Sequence, residues 1–480
     1  MNLSLVLYII GSILQFEAGF MLLPAITGLI YGEYTEALTY LGVAVLCLLC
    51  GFALKLAKPE NRDLYMRDGF AAVALSWIFI SAFGAFPFVA TGEIPNYIDA
   101  LFEASSGFTT TGASILSNVE ALSHASLFWR SFTHWIGGMG VFVFIMAILP
   151  MMGASTMNLM KAESTGPSVG KLVPRVKDTA KILYGLYIAM TIIGTIVYLL
   201  SGMNLFEALT MIFGTVGTGG FGIYNDSIAS FTPLQQNMIT LFMILSGVNY
   251  SVYFCIIRGQ FKEAFSLEEV KWYFIIIFAS AIMIAIDIRN MYPNPGVALR
   301  HSFFQVGSII TTTGYSTVDF DMWSQFSKTI LVMLMFIGAC AGSTGGGIKV
   351  SRILILLKSV RKEVNMMIHP HMVKRISVNG KPLQDETLRS TNVFIAIYFV
   401  LFFISVLIIG VDELDFTTNF TAVAATINNI GPGLNAVGPS HNFALYSDLS
   451  KLVLIFNMLA GRLELFPMLI IFAPSCWKKY

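Results

Sequence analysis

Four short stretches of the chain put a glycine behind hydroxyl, glycine or amide residues. They are SSGFTTTGAS (105–114), FGTVGTGGFG (213–222), GSIITTTGYS (307–316) and AATINNIGPG (424–433). Aligned on one glycine, they set Gly112, Gly220, Gly314 and Gly431 in register. Before these stand Thr110 and Thr111, Thr218 and Gly219, Thr312 and Thr313, and Asn429 and Ile430. The chemistry on offer is coordination of a cation by neutral oxygen. A ring of backbone carbonyls can replace the water shell of a permeating ion. Glycine suits such a ring because it takes φ > 0 and turns a carbonyl inward with no side chain in the path. Only the central glycine is common to all four stretches, so carbonyls rather than hydroxyls are the shared ligand. No carboxylate is present, and a charged ring would hold divalent cations more strongly, which argues for a monovalent ion.

Such loops need elements to hold them, and composition says what kind. Of the 480 residues 56% are hydrophobic and 12% charged, against about 25% charged in a typical soluble domain. Mean hydropathy is +0.73. The charges are too few to cover a water-facing surface, so the surface faces lipid. Spans of about 20 apolar residues fall near 3–30, 38–57, 69–90, 128–150, 181–201, 236–257, 272–288, 329–357, 391–411 and 450–474. Glu17 interrupts the first, which has no basic residue ahead of it and is too long for a signal segment. The gaps after the third, fifth, seventh and ninth spans each hold a short apolar run and then one of the four stretches. Such a run is too short to cross and reads as a re-entrant half-helix, whose irregular backbone must be buried in protein or line a wet cavity.

The reading is an all-α integral membrane protein. Four helix–re-entrant half-helix–filter loop–helix repeats surround one pore, preceded by two extra transmembrane helices. The divisions are 1–60 for the accessory pair, then repeats at 61–175, 176–265, 266–375 and 376–480. The half-helices end at the loops, so their partial negative charge points at the ion. The stretch TVG at 215–217 imitates the filter of a tetrameric potassium channel, but repeat register selects Gly220. Most of the 29 Lys and Arg lie in alternate connections, at 55–67, 161–181, 258–271 and 349–389, and in the tail. The positive-inside rule puts these segments and the C-terminus in the cytoplasm. The five cysteines are scattered and imply no disulfide framework.

A second constellation lies further along. The third inner helix meets GACAGSTGGGIK (338–349), and glycines cost about 1 kcal/mol each in a helix relative to alanine. An unwound intramembrane loop is expected, with Gly342, Ser343, Thr344, Gly345, Gly346 and Gly347 at its centre. Arg462 is the one basic residue deep within the last span, and an intramembrane arginine is a functional candidate. Glu464 is two residues away, and such neighbours do not face one another on a helix.

Together with WRSFTHWIGGMGVFVF (129–144), AESTGP (162–167), INNIGPG (427–433) and GRLELFP (461–467), these motifs resemble the Trk/Ktr/HKT superfamily of cation-uptake proteins, and its TrkH-type potassium branch. The similarity covers nearly the whole chain. It implies K+ uptake through a filter of the twelve residues named above, gated by the glycine-rich loop and Arg462. It further implies a homodimer of separate pores in a prokaryotic inner membrane, and a cytosolic TrkA-type ring that binds NAD or ATP. Gly112 resembles potassium-preferring members; a serine there accompanies sodium transport in some relatives. Na+ or mixed K+/Na+ transport on the same fold is the alternative.

Other classes find little support. An intramembrane protease needs a Ser–His, HExxH or paired-Asp constellation, and His134 has no nucleophile at motif spacing. A carrier with inverted repeats disagrees with units that all start from a basic segment. GSTGGGIK lacks the spacing of a phosphate loop and follows no strand, so no cofactor is expected on this chain and no nucleic-acid partner. Glu17, Asp287 and Arg289 read as structural, and His369 and His371 as surface residues. SVNGKPL (377–383) reads as a hairpin with an Asn-Gly turn, placed to dock the regulatory partner.

Overall fold

The computed structural model describes residues 1–57, 59, 65–148, 176–371 and 375–478; AESTGP (162–167) lies outside them. Two helices come first, α1 (Leu3–Tyr31) and α2 (Tyr34–Lys55). They cross where a methyl on Gly11 would sit 2.6 Å from the Gly51 carbonyl oxygen, and one on Gly51 2.7 Å from that of Gly11. Small residues at the crossing let the two backbones touch. The first helix runs unbroken through Glu17, so this residue does not interrupt it.

Four units follow. The first is α3 (Met66–Ala90), the half-helix α4 (Tyr97–Phe108) and α5 (His124–Ile148). The second is α6 (Val176–Leu200), the half-helix α7 (Leu205–Gly217), α8 (Pro233–Ser246) and α9 (Tyr250–Ile257). A short α10 (Phe261–Ser266) leads to the third: α11 (Glu268–Ile288), the half-helix α12 (Pro295–Ile310), α13 (Gln325–Ile337) and α14 (Val350–Ile368). The fourth is α15 (Asp385–Ile409), the half-helix α16 (Phe416–Ile427), α17 (Asp448–Arg462), α18 (Phe466–Ile471) and α19 (Pro474–Trp477). Between the third and fourth units, β1 (Ser377–Val378) and β2 (Lys381–Pro382) form the expected hairpin, with Asn379 and Gly380 both at positive φ.

Each half-helix starts at a polar cap. Asn96, Asn204, Asn294 and Asp415 each accept a hydrogen bond from a backbone N–H of the first turn. That satisfies donors the helix cannot. Each half-helix is then buried along its last turns: Phe102–Phe108, Thr210–Gly217, Phe304–Ile310 and Thr421–Ile427 are enclosed by the other helices. The outer helices carry the lipid face, with Leu49 and Phe52 on α2, Ile192 and Ile196 on α6, Ile286 on α11 and Leu407 on α15 all exposed.

Six of the described helices are long and apolar enough to cross a membrane alone: α1, α2, α3, α6, α11 and α15. The inner helices of units two to four are broken. The span read as 236–257 bends by 91° between α8 and α9. Asn249 there caps the new helix by accepting from the Ser251 N–H at 2.8 Å. The span read as 450–474 breaks after Arg462, where Glu464 and Leu465 hold φ of 58° and 69°. The third breaks at 338–349, as its glycines suggested.

Candidate ion-binding site

The four half-helices end in the same way. Thr111, Gly219, Thr313 and Ile430 donate their N–H to Ser106, Gly214, Ser308 and Ala425 at 2.8–2.9 Å. The residue before each donates to Gly107, Thr215, Ile309 or Thr426 at 3.1–3.2 Å. This pair of bonds is the Schellman cap. Its turning residue is left-handed, and glycine is the usual choice. Here Thr110, Thr218, Thr312 and Asn429 hold it, at φ of 55–58°. A β-branched residue in that conformation is a genuine outlier, at a cost of roughly 1–2 kcal/mol. Two residues on, Gly112, Gly220, Gly314 and Gly431 are again at positive φ, 81–99°. Gly220, rather than Gly217, takes this position in the second loop.

Those glycines are where the loops meet. A methyl on Gly112 would land on the carbonyl oxygen of Gly219. One on Gly220 would land on that of Thr313, and one on Gly314 on that of Ile430. A methyl on Gly431 would come within 2.8 Å of the Thr111 oxygen. Loop one touches loop two, two touches three, three touches four, and four returns to one. All four glycines line a single cavity of about 140 Å³ on the side of the following loops. The threonine and asparagine side chains of the ring are fully buried.

Groups behind the ring fix it. The Phe221 N–H donates to His134 Nε2 at 3.1 Å, so the ring proton sits on Nδ1 and donates to the Gly107 carbonyl at 2.8 Å. Tyr315 Oη of the third loop donates to the Met211 carbonyl at 3.2 Å. Asn429 Nδ2 reaches Thr111 Oγ1 at 3.0 Å and the Met458 carbonyl at 2.9 Å. Arg130 and Glu103 form a buried pair at 2.8 Å, and the guanidinium lies 4.0 Å over the Phe221 ring and donates to the Gly222 carbonyl. Glu103 also accepts from Ser114 Oγ and from the Ile115 N–H, at 3.0 Å each. With these partners the carboxylate is committed to holding the loop and does not join the ring.

Sequence reasoning took the ring residues and missed these supports. The signal for Glu103 was present, because an ionisable residue in an intramembrane run needs a partner. For His134 only its place after Arg130 on α5 could have helped.

The 338–349 segment lies against the ring from the other side. The Gly346 N–H donates to Thr312 Oγ1 at 2.7 Å. A methyl on Gly345 would sit 2.9 Å from the Thr311 oxygen, and one on Gly346 2.5 Å from that of Asn428. The Cys340 N–H donates to the Gly247 carbonyl at 3.1 Å, and the Tyr250 N–H to that of Gly342 at 3.0 Å, so the breaks in the second and third units are bonded together. Arg462 donates to the Thr344 carbonyl at 2.7 Å and to that of Gly137 on α5 at 2.6 Å. Glu464 pairs with Arg352 and not with Arg462. Two charged groups to which the sequence reading gave no such role also hold the segment. Lys349, at φ 82°, donates to the Gly345 carbonyl, and Glu269 accepts from the Ala341 N–H at 2.6 Å. Asp287, by contrast, accepts from Ser324 and Ser327 at the start of α13, a structural role.

Known proteins resemble the chain over nearly its whole length. A model of the TrkH family, described as cation transport protein, matches residues 40–479. The Trk system potassium uptake protein TrkH of Salmonella typhimurium is 35% identical over 487 residues, 100% of each chain. The Trk system potassium uptake protein TrkG of Escherichia coli (strain K12) is 34% identical over 466 residues, 95% of each. The crystal structure of the potassium transporter TrkH from Vibrio parahaemolyticus superposes with a TM-score of 0.89 at 32% identity, covering 100% of both chains.

Proposed function

The chain belongs to the TrkH family of cation transport proteins, and from that membership we propose that it takes up K+ through the ring at Gly112, Gly220, Gly314 and Gly431. It is a multi-pass membrane transporter and not an enzyme. The observation that carries the filter reading is the closed cycle of contacts, each ring glycine against a carbonyl of the next loop. Carbonyls held this way replace hydration water without reorganising. Four helix C-termini, each worth about half an elementary charge, supply attraction without a fixed carboxylate. Potassium is the cargo.

In the same reading the 342–347 loop and Arg462 form the gate. The loop occupies the path beside the ring, and the arginine both ties it down and repels an entering cation. In this reading the chain divides into an accessory pair at 1–60 and pore repeats at 61–175, 176–265, 266–375 and 376–480. The chain sits in a prokaryotic inner membrane with its C-terminus in the cytoplasm, as a homodimer under a TrkA-type ring that binds NAD or ATP. The basic connections and the 377–382 hairpin support that side for the regulator.

Rb+ uptake into proteoliposomes, with K+ or Na+ as competitor, tests the function. K+ should compete strongly and Na+ weakly. Equal competition would assign mixed K+/Na+ transport, and no uptake would overturn the reading.

A further inference from the structure

The first helix, α1, holds a buried acid that the ion path does not use. Glu17 stands midway along α1, 1% exposed, and neither of its carboxylate oxygens has a hydrogen-bond partner. It lines a cavity of about 60 Å³ between α1, α3 and α5, together with Phe16, Ser76, Trp77, Phe108 and Gly137. Ser76 Oγ, 2% exposed on α3, also lacks a partner. Among the described residues, the elements packed around Glu17 present no cation: α2 brings the Cys47 thiol, α3 brings Gly84, α4 brings Phe108, and α5 brings Ile136 and Gly140. Phe16, which lines the cavity, is half exposed on α1.

An ionised carboxylate with no donor in apolar surroundings is too costly to persist, so the group rests as the neutral acid. Three oxygens with unused acceptor capacity then converge on a space that holds two to four water-sized groups, at about 15–30 Å³ each. A potassium ion needs more oxygens than these three. A primary amine fits better. Once protonated, it carries three N–H donors on one small nitrogen, and its alkyl chain matches the aromatic walls.

We propose that this cavity is a binding site for a lipophilic primary amine, which enters from the bilayer and pairs its nitrogen with Glu17. The proton leaves the Glu17 carboxyl for the amine nitrogen, so a neutral acid and a neutral amine become a carboxylate–ammonium pair and the net charge is unchanged. The occupant would lie one wall from the ion path. Phe108 is the last residue of a half-helix, and the carbonyl of Gly137 accepts from Arg462.

The test uses the full chain in liposomes and dicyclohexylcarbodiimide, an apolar reagent. A protonated carboxyl adds across its N=C=N bond, and the adduct rearranges to a stable N-acylurea that mass spectrometry places on a peptide. The expected result is a label on Glu17 that decylamine suppresses several-fold. Decanol, which has one donor, and decyltrimethylammonium, which is charged but has no N–H, should leave it. Glu17→Gln should lose the label, and Ser76→Ala should weaken suppression by decylamine. Competition on the wild-type protein decides the matter even where a variant folds poorly. No label at Glu17, no effect of decylamine, or equal suppression by all three compounds would overturn the proposal.

Discussion

At the scale of single residues, the ring rests on backbone conformations that side chains resist. Gly112 has φ 81° and faces the Gly219 carbonyl oxygen where a Cβ would sit. Gly112→Ser therefore adds about 1–2 kcal/mol of left-handed strain and must push that carbonyl aside. Sodium should then compete better with Rb+ uptake than in wild type, and an unchanged ratio would retire the selectivity role of this position. His134 acts at one remove. Replacing it with Phe strands the Phe221 N–H, at about 1–3 kcal/mol for a buried group, and leaves the Gly107 carbonyl with its Thr110 partner alone. If the histidine tunes the ring, K+ should stabilise His134→Phe less than it stabilises wild type in thermal unfolding. A uniform drop in Tm, with the K+ increment intact, would make it a packing residue only. The ring glycines were legible because four copies of one chemistry shared a register. His134 was not, because its importance comes from two backbone partners on other segments.

Among the elements, the half-helices were legible from short apolar runs ahead of glycine-containing loops, and the structure adds a polar cap at the start of all four. The broken inner helices were legible only where glycine marked them. The segment at 338–349 advertises its break. The bend at 247–249 and the turn at 463–465 hide in apolar runs, because tertiary bonds stabilise them: the Gly247 carbonyl accepts from Cys340 of the glycine-rich segment, and Glu464 is drawn to Arg352. The junction between ring and loop is one hydrogen bond, from the Gly346 N–H to Thr312 Oγ1. Thr312→Val keeps the branched Cβ and its strain but removes the acceptor, leaving a buried donor worth about 1–3 kcal/mol unpaired. The loop should leave its seat more often. Rb+ uptake without the regulatory ring should rise, at unchanged competition by Na+, since that hydroxyl is turned to the loop. Uptake equal to wild type would mean that this bond does not hold the loop.

For the whole molecule, the sequence conveys four similar units but not how differently they are used. The carbonyl ring treats them alike. Below it the symmetry ends: the first unit supplies Gly137, the third supplies Thr344, and the fourth supplies the arginine that joins them. Arg462 donates both to the loop and to α5. Arg462 thus ties three units together, and under the proposed gating a loop that opens must give up the Thr344 bond. Arg462→Ala removes the bonds to Thr344 and Gly137 and the positive charge, so the closed arrangement loses a charge-assisted contact worth about 1.5–3 kcal/mol. A shift of that size changes the open fraction by a factor of roughly 10 to 100 when the closed state dominates. Rb+ flux through the chain alone should rise accordingly, with K+ still preferred over Na+ because the ring glycines are untouched. Arg462→Lys should fall between the two, since a point charge on a flexible stem cannot span both carbonyls as the planar fork does. If Arg462→Ala inserts normally and conducts no more than wild type, the arginine is a structural tie between units and the gate lies elsewhere.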